Sequence, residues 1–345
     1  MAYEIKLEPV CQTFSCYENE TLLQAASRHG ISLKQGCAVG ACRACKARVV
    51  SGNVTYPPQF RNALTPEEIA SGHALLCCAL PGSDLTIEAA QTANAPDSVQ
   101  EFPGVVETIQ RSGNITLCHL RLPRRLKLSA RPGQYVQVIW RDGRCRAFSI
   151  ANQPHEDGVI EFHIRCRPGG AFSDYAAMDM RIDDVLRMRG PFGEFSLNAD
   201  SQKPILFVAT GTGFAPVQAL IDKLVREGSR RPISLYWGGR AQADLYFRER
   251  IEQWQRSPID FRFVPVLSRP PASGWDGRTG YVGSAMQNDI SDFSPYEAYV
   301  CGAPAMVEDT FRHMTCDGGM PVSAFHADAF HCASVPASAV RPNVL

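Results

Sequence analysis

"CAVGACRACK", Cys37 to Lys46, sets three cysteines at the spacing C-x4-C-x2-C. After Cys45, 31 residues pass before Cys77 in "LLCCALPGSDL". Two irons bridged by two sulfides need four thiolates, three from one tightly wrapped loop and one from far along the chain. The spacing of Cys37, Cys42, Cys45 and Cys77 is that of such a 2Fe–2S site. Gly36, Ala38, Gly40, Ala41 and Ala44 let the loop wrap closely and bring backbone N–H groups to the sulfurs. Structural zinc is the rival metal; it usually draws on two close pairs, and the second pair here is the adjacent Cys77–Cys78. Plain buried thiols are the third alternative. Neighbouring residues on a strand face opposite ways, so Cys77 is expected to be the fourth ligand and Cys78 a small buried residue. Arg43 is expected at the surface, either as a docking contact or as an ordinary solvated side chain.

Around this loop the chain has the composition of a globular protein: 345 residues, 45% hydrophobic, 20% charged, formal net charge zero. That length predicts two or three domains. A neutral balance without a basic run argues against nucleic acid as a partner. The opening "MAYEIKLEPV" has no apolar core of an export signal. Apolar runs such as "PILFVAT" are strand-sized and far shorter than a membrane span. Thirteen cysteines without an export signal point to the cytoplasm, with thiols free or on metal rather than in a disulfide framework.

Three regimes follow along the chain. Residues 1–92 carry the close cysteines, short alternating strands and the helix candidate "NETLLQAASRHG", started by Asn19 or Glu20 and stopped by Gly30. Ala89 to Glu101 is small, polar and patternless, as a linker is. Residues 100–199 contain many short strands, which suggests a small antiparallel barrel or sandwich. In residues 203–333 strands alternate with helical segments, the pattern of a doubly wound parallel α/β sheet.

Two further motifs stand in the second and third regimes. "RCRAFSIANQP" holds Arg146, Phe148 and Ser149, and "FHIRCRPGGAFSDY" holds His163, Arg165, Gly169, Gly170 and Ser173. A flavin dinucleotide needs a cation and free N–H groups for its pyrophosphate, a flat group against its ring, and a polar group near N5. Arg146, a helix opened by Gly169–Ser173, Phe148 and Ser149 are suited to these needs. "PILFVATGTGFAPVQAL" is a buried strand, a turn at Gly211-Thr212-Gly213, and a helix with Pro216 in its first turn, where no N–H is needed. Such a turn lets backbone approach a pyrophosphate. It is neither the G-x-G-x-x-G fingerprint nor a P-loop.

Taken in order, these motifs resemble the ferredoxin–NADP reductase superfamily with an N-terminal plant-type ferredoxin. The pairs are "RxYSxAN" with "GGxxS", and "GTGxAP" with "CGxPxM". Within it the chain is similar to the reductase components of phenol, toluene or methane monooxygenases and aromatic-ring dioxygenases. The resemblance implies a β-grasp 2Fe–2S domain, an antiparallel β-barrel FAD domain and a doubly wound NAD(P) domain. It implies that Arg146 meets the FAD pyrophosphate, Phe148 (in place of the commoner Tyr) stacks on the flavin, and Ser149 lies near N5. His163 and Arg165 join the cofactor-binding candidates. Gly211, Thr212, Gly213 and Pro216 would line the coenzyme pyrophosphate, with Cys301 and Gly302 near the nicotinamide and Phe330 over the flavin. Ser149 and Cys301 are the candidates nearest the reacting atoms. NADH is the expected coenzyme; Arg240, after the second strand, keeps NADPH as the alternative. Electrons would pass from NADH through FAD and the cluster to an oxygenase hydroxylase component or its ferredoxin, from a monomeric reductase. The alternative acceptor is a deoxysugar dehydrase, as in the CDP-6-deoxy-glucoseen reductase type.

Overall fold

The computed structural model describes residues 2–330 apart from 30, 32, 35–39, 41–42, 58–63, 90–98, 127, 142–144, 154–157 and 168. The first unit consists of β1 (Ala2–Glu8), β2 (Gln12–Tyr17), α1 (Leu22–Arg28), β3 (Lys46–Ser51), β4 (Val54–Thr55), α2 (Pro66–Ala70), β5 (His73–Leu75), β6 (Leu80–Pro81) and β7 (Leu85–Glu88). Along β1, Ile5 and Leu7 are buried while Glu4 and Lys6 alternate with them, the period of a strand with one face on a core. The sheet runs β2-β1-β7-β3-β5, with β1 parallel to β7 and antiparallel to β2. Helix α1 covers it with Leu22, Leu23, Ala25 and Ala26. Its start differs from the expectation at Asn19 or Glu20. Thr21 Oγ1 accepts from Gln24 N–H at 3.2 Å and Gln24 Oε1 accepts from Thr21 N–H at 2.9 Å, a reciprocal cap that begins the helix at Leu22. Glu20 instead accepts from Arg28 and from Tyr17 N–H.

The second unit has β8 (Gln100–Ser112), β9 (Ile115–Arg121), β10 (Tyr135–Ile139), β11 (Cys145–Ser149), β12 (Val159–Arg165), the short α3 (Ala171–Asp174) and β13 (Val185–Phe192). Its antiparallel sheet runs β11-β10-β13-β8-β9-β12. The sheet curls until its edges meet: Ala151 N–H donates to Glu161 C=O at 2.9 Å, and the Phe148 and Phe162 rings lie 5.6 Å apart. Val106, Leu120, Val136, Val138, Ile160 and Met188 fill the interior.

The third unit contains β14 (Ile205–Thr210), α4 (Phe214–Arg226), β15 (Ile233–Gly239), α5 (Arg248–Arg256), β16 (Phe261–Leu267), β17 (Arg278–Thr279), α6 (Val282–Asp289), β18 (Glu297–Gly302), α7 (Pro304–Arg312) and β19 (Phe325–Ala329). All pairs are parallel, in the order β17-β16-β15-β14-β18-β19. Alternate residues of β14 serve opposite layers. Leu206 and Val208 pack with Met286 of α6 and Val307 of α7. Phe207 and Ala209 pack with Leu220 of α4 and Trp254 of α5. Helices therefore cover both faces, and the strands read as continuous apolar runs. Among the described residues no helix is long and apolar enough to cross a membrane.

Candidate functional site

Antiparallel pairing of β3 with β5 sets Lys46 opposite Leu75, and Leu76 N–H donates to Cys45 C=O at 3.2 Å. This brings Cys45 and Cys77 into one buried core. Cys77 and Cys78 lie in a turn, not on a strand, and their sulfurs are 3.5 Å apart. Face alternation therefore does not separate them, which corrects the reasoning that favoured Cys77. The Tyr56 phenol is pushed up by burial and by the nearby Cys78, Cys45 and Cys77. Among the described residues no three candidate ligands form a metal-binding group; Cys37 and Cys42 lie outside them. The buried soft sulfurs of Cys45 and Cys77 still fit an iron–sulfur centre better than a hard cation.

Arg43, between the cluster-loop cysteines, is not an exposed contact. Its backbone is left-handed at φ 61°, and its guanidinium donates to Glu68. Lys46 Nζ donates to the same Glu68 oxygen at 2.8 Å. Glu68 also closes the capping box of α2 with Thr65. Burial works against the Glu68 charge, but Lys46, Thr65 N–H and Arg43 hold the carboxyl below its usual range.

In the barrel, Ser149 is buried opposite Tyr135, and Phe148 stands opposite Val136. The half-buried Phe148 ring is braced by Phe162 and by Phe172 of α3 at 5.1 Å. Arg146 is half-buried and donates to Cys145 C=O. Gly169, at φ 82°, has open space where a Cβ would stand, and its N–H donates to Asp174. Ser173 Oγ braces the loop by donating to Arg167 C=O at 2.8 Å. Beside α3 a cavity of about 640 Å³ is lined by Trp140, Arg141, Ala171, Asp174 and Tyr175 among others. Tyr135 and Arg189 were not found from sequence. Tyr135 stacks on Phe192, and Arg189 donates from Nη2 to Gln137 while its Nε is buried without a partner. That orphaned donor fits a polar ligand at this face of the barrel.

His163 and Arg165 turn toward the third unit. His163 has both ring nitrogens engaged, by Glu161 at 2.8 Å and by Tyr246 OH at 2.8 Å, so neither is left for a cofactor. Arg165 Nη2 donates to Asp244 Oδ1 at 3.2 Å.

In the third unit, Gly211–Gly213 forms a tight turn from β14 into α4, with Pro216 buried in the helix's first turn. A Cβ on Gly213 would stand 2.2 Å from Cys301 C=O, and one on Gly302 (φ 141°) 2.2 Å from Thr210 Oγ1. The ends of β14 and β18 therefore touch through glycines. Thr212 is half-buried, and Thr210 Oγ1 accepts from Ala303 N–H at 3.0 Å. Cys301 is fully buried; burial, then the Asp328 carboxylate, pushes its thiol well above the usual range, so it stays neutral. Phe330 N–H donates to Gly302 C=O at 2.7 Å, and its ring packs on the α4 core layer. Arg240 is exposed, its N–H held by Asp244 Oδ2 at 2.8 Å. Burial, followed by the Asp328 carboxylate, pushes the Tyr135 phenol up; Asp328 itself pairs with Cys301 across β18 and β19.

Comparison with known proteins follows the same three-part division. The 2Fe-2S iron-sulfur cluster binding domain matches residues 5–82, the oxidoreductase FAD-binding domain 104–197, and the oxidoreductase NAD-binding domain 207–312. The CDP-6-deoxy-L-threo-D-glycero-4-hexulose-3-dehydrase reductase of Yersinia pestis is 32% identical over 96% of this chain and 99% of its own. This chain belongs to the iron–sulfur flavoprotein reductases. The phenol hydroxylase P5 protein of Acinetobacter pittii is 35% identical to the reductase over 89% of each chain. The cytochrome P450 reductase GcoB of Amycolatopsis matches in structure at a TM-score of 0.73 and 29% identity, covering 96% of this reductase and all of that chain. The reductase is thus an NAD(P)H-dependent oxidoreductase with 2Fe–2S, FAD and NAD-binding modules.

Proposed function

We propose that this reductase draws electrons from NADH and delivers them to the terminal component of a multicomponent oxygenase acting on aromatic or other hydrocarbon substrates. The observation that supports the transfer step is the direct contact of barrel strand β12 with the third unit, where Arg165 donates to Asp244 and lies against Gly211 of the glycine turn. The oxygenase reading draws on relatives named as phenol hydroxylase and terephthalate dioxygenase components. When bound, the cofactors convert the two-electron chemistry of a nicotinamide into single-electron delivery from an iron–sulfur centre.

The side chains position and tune; no acid or base is needed. Cys37, Cys42, Cys45 and Cys77 would hold the cluster. Arg146 and the Gly169–Ser173 turn would bind the FAD pyrophosphate, Phe148 and Phe330 would enclose the flavin, and Ser149 would donate near N5. Gly211, Thr212, Gly213 and Pro216 would admit the coenzyme pyrophosphate. Cys301, neutral, and Gly302 would leave room for the nicotinamide without adding charge. Both Asp244 oxygens are already engaged, by Arg165 and by the N–H groups of Arg240 and Ala241.

The second reading, delivery to a deoxysugar dehydrase, is favoured by the Yersinia relative's match over 96% of this chain. One experiment divides them. The protein is reduced anaerobically with NADH and mixed with an aromatic-oxygenase terminal component or with a deoxysugar dehydrase. Rapid reoxidation by the oxygenase component alone is expected; reoxidation by the dehydrase alone assigns the acceptor to the second reading.

A further inference from the structure

Strand β12 presents Glu161, His163 and Arg165 on one face, because strand residues two apart point the same way. Each makes a bond into the third unit or supports one. Glu161 Oε2 accepts from Gln218 Nε2 of α4 at 3.2 Å. Glu161 Oε1 accepts from His163 Nε2, and His163 Nδ1 meets Tyr246 OH at 2.8 Å. Arg165 reaches Asp244, whose other oxygen holds the N–H groups of Arg240 and Ala241. Arg165 also lies against Gly211, where a Cβ would stand 2.7 Å from Nη1.

Burial pushes the Tyr246 phenol well above its usual range, so its O–H is present to donate. Burial raises the Glu161 carboxyl, but hydrogen bonds and charge from His119 and His163 outweigh it and hold the group well below the usual range. A carboxylate only accepts, so Glu161 takes its hydrogen from Nε2–H, while Nδ1 and the Tyr246 hydroxyl share the second bond. Glu161 and His163 are only 6% and 4% exposed, so water does not replace these bonds.

We infer that Glu161, His163 and Arg165 form a polar seam that fixes the register of the nucleotide unit on the barrel, and that they act as positioning residues for hydride transfer between coenzyme and flavin. The packing explains the leverage. Gln218 sits on α4, the helix that Gly211–Gly213 opens, so holding Gln218 holds the phosphate turn. His163 also lies 6.2 Å from the Phe214 ring at that helix's first residue, and Phe214 stacks on Trp237 at 3.9 Å. An apolar interface alone would permit sliding; directional bonds to a buried carboxylate do not.

This inference rests on the reading that NADH reduces the bound flavin, and the test separates the two. The full-length holoprotein carrying Gln218→Leu with Tyr246→Phe loses the cross-unit partners while Glu161 and His163 stay in place. Under anaerobic stopped flow, the limiting rate of flavin reduction by NADH is expected to fall about 10- to 100-fold, the scale of a misplacement near 1 Å. The NADH dissociation constant, the visible spectrum and reduction by dithionite should stay near wild type. Amide hydrogen exchange should rise at residues 211–226 and 240–247. His163→Phe keeps the aromatic packing, loses both ring hydrogen bonds, and should slow the same step. A limiting rate equal to wild type in both variants, or exchange unchanged at those segments, overturns the seam. A wild-type protein that NADH does not bleach overturns the electron-transfer reading instead, while exchange still reports whether the seam holds the two units together.

Discussion

The glycine turn proposed for the coenzyme phosphates and the polar seam beneath it are written in the chain in different ways. Thr210 to Pro216 is contiguous: strand, glycine turn and helix follow within seven residues. The seam joins residues 57, 79 and 83 positions apart. Local backbone demands leave a mark in sequence, because few residues satisfy them. A buried polar bond between distant elements leaves only a Glu, a His and an Arg on a strand, which many folds use in many ways. The difference teaches that the segments proposed to face the cofactors are local in the chain, while the bonds proposed to hold them in register are not.

The largest effect tests Cys77, the distant ligand proposed for an otherwise local cluster site. Cys77→Ser is expected to abolish the iron–sulfur absorption and electron paramagnetic resonance signal, and Cys78→Ser to retain them. The reverse pattern moves the fourth ligand to Cys78. Next comes the turn itself. Gly213→Ala forces a methyl group against Cys301 C=O and should destabilise the third unit by about 1–3 kcal/mol, read as a lowered thermal midpoint. An unchanged midpoint would show that the turn tolerates side chains and that its glycine is dispensable.

A third prediction uses another long-range polar contact. Glu297 accepts from Arg231 at 2.6 Å and is 3.1 Å from His326 Nε2. Burial raises its carboxyl, but His326 and Arg231 outweigh this and bring it from 4.5 down to about 2. A lowered folded value means the stabilisation is complete above pH 4.5 and fades as pH falls through about 2. Melting temperature against pH should show that acid limb, and Glu297→Gln should flatten it in part, since Glu161 is shifted the same way. The smallest effect is local: Thr21→Ala removes the α1 cap, at a cost of about 1 kcal/mol in chemical denaturation.

Much of the architecture was legible because each unit announces its period. The "ILFVAT" run predicted a buried strand, and its alternate residues serve two helical layers. Where sequence reasoning failed, a side-chain contact decided the matter. Thr21, not Asn19 or Glu20, starts α1 because Gln24 answers it three residues later. Cys77 and Cys78 occupy a turn, so strand alternation had no bearing on them. His163 and Arg165 carry the residue types of a cofactor pocket, yet their partners are Glu161, Tyr246 and Asp244. Tyr135 and Arg189 gave no signal, since an aromatic and an arginine on barrel strands are unremarkable until pairing sets Tyr135 opposite Ser149 and Arg189 opposite Gln137.

The Arg43–Glu68–Lys46 arrangement bears on how an acceptor can approach. Two cations beside the cluster loop share a carboxylate from α2, and Arg43 is mostly covered. A visiting protein would therefore meet an Arg43 guanidinium that is already paired and held. Its association should be governed by shape, with ionic strength changing the on-rate less than it does where free surface charge steers the encounter.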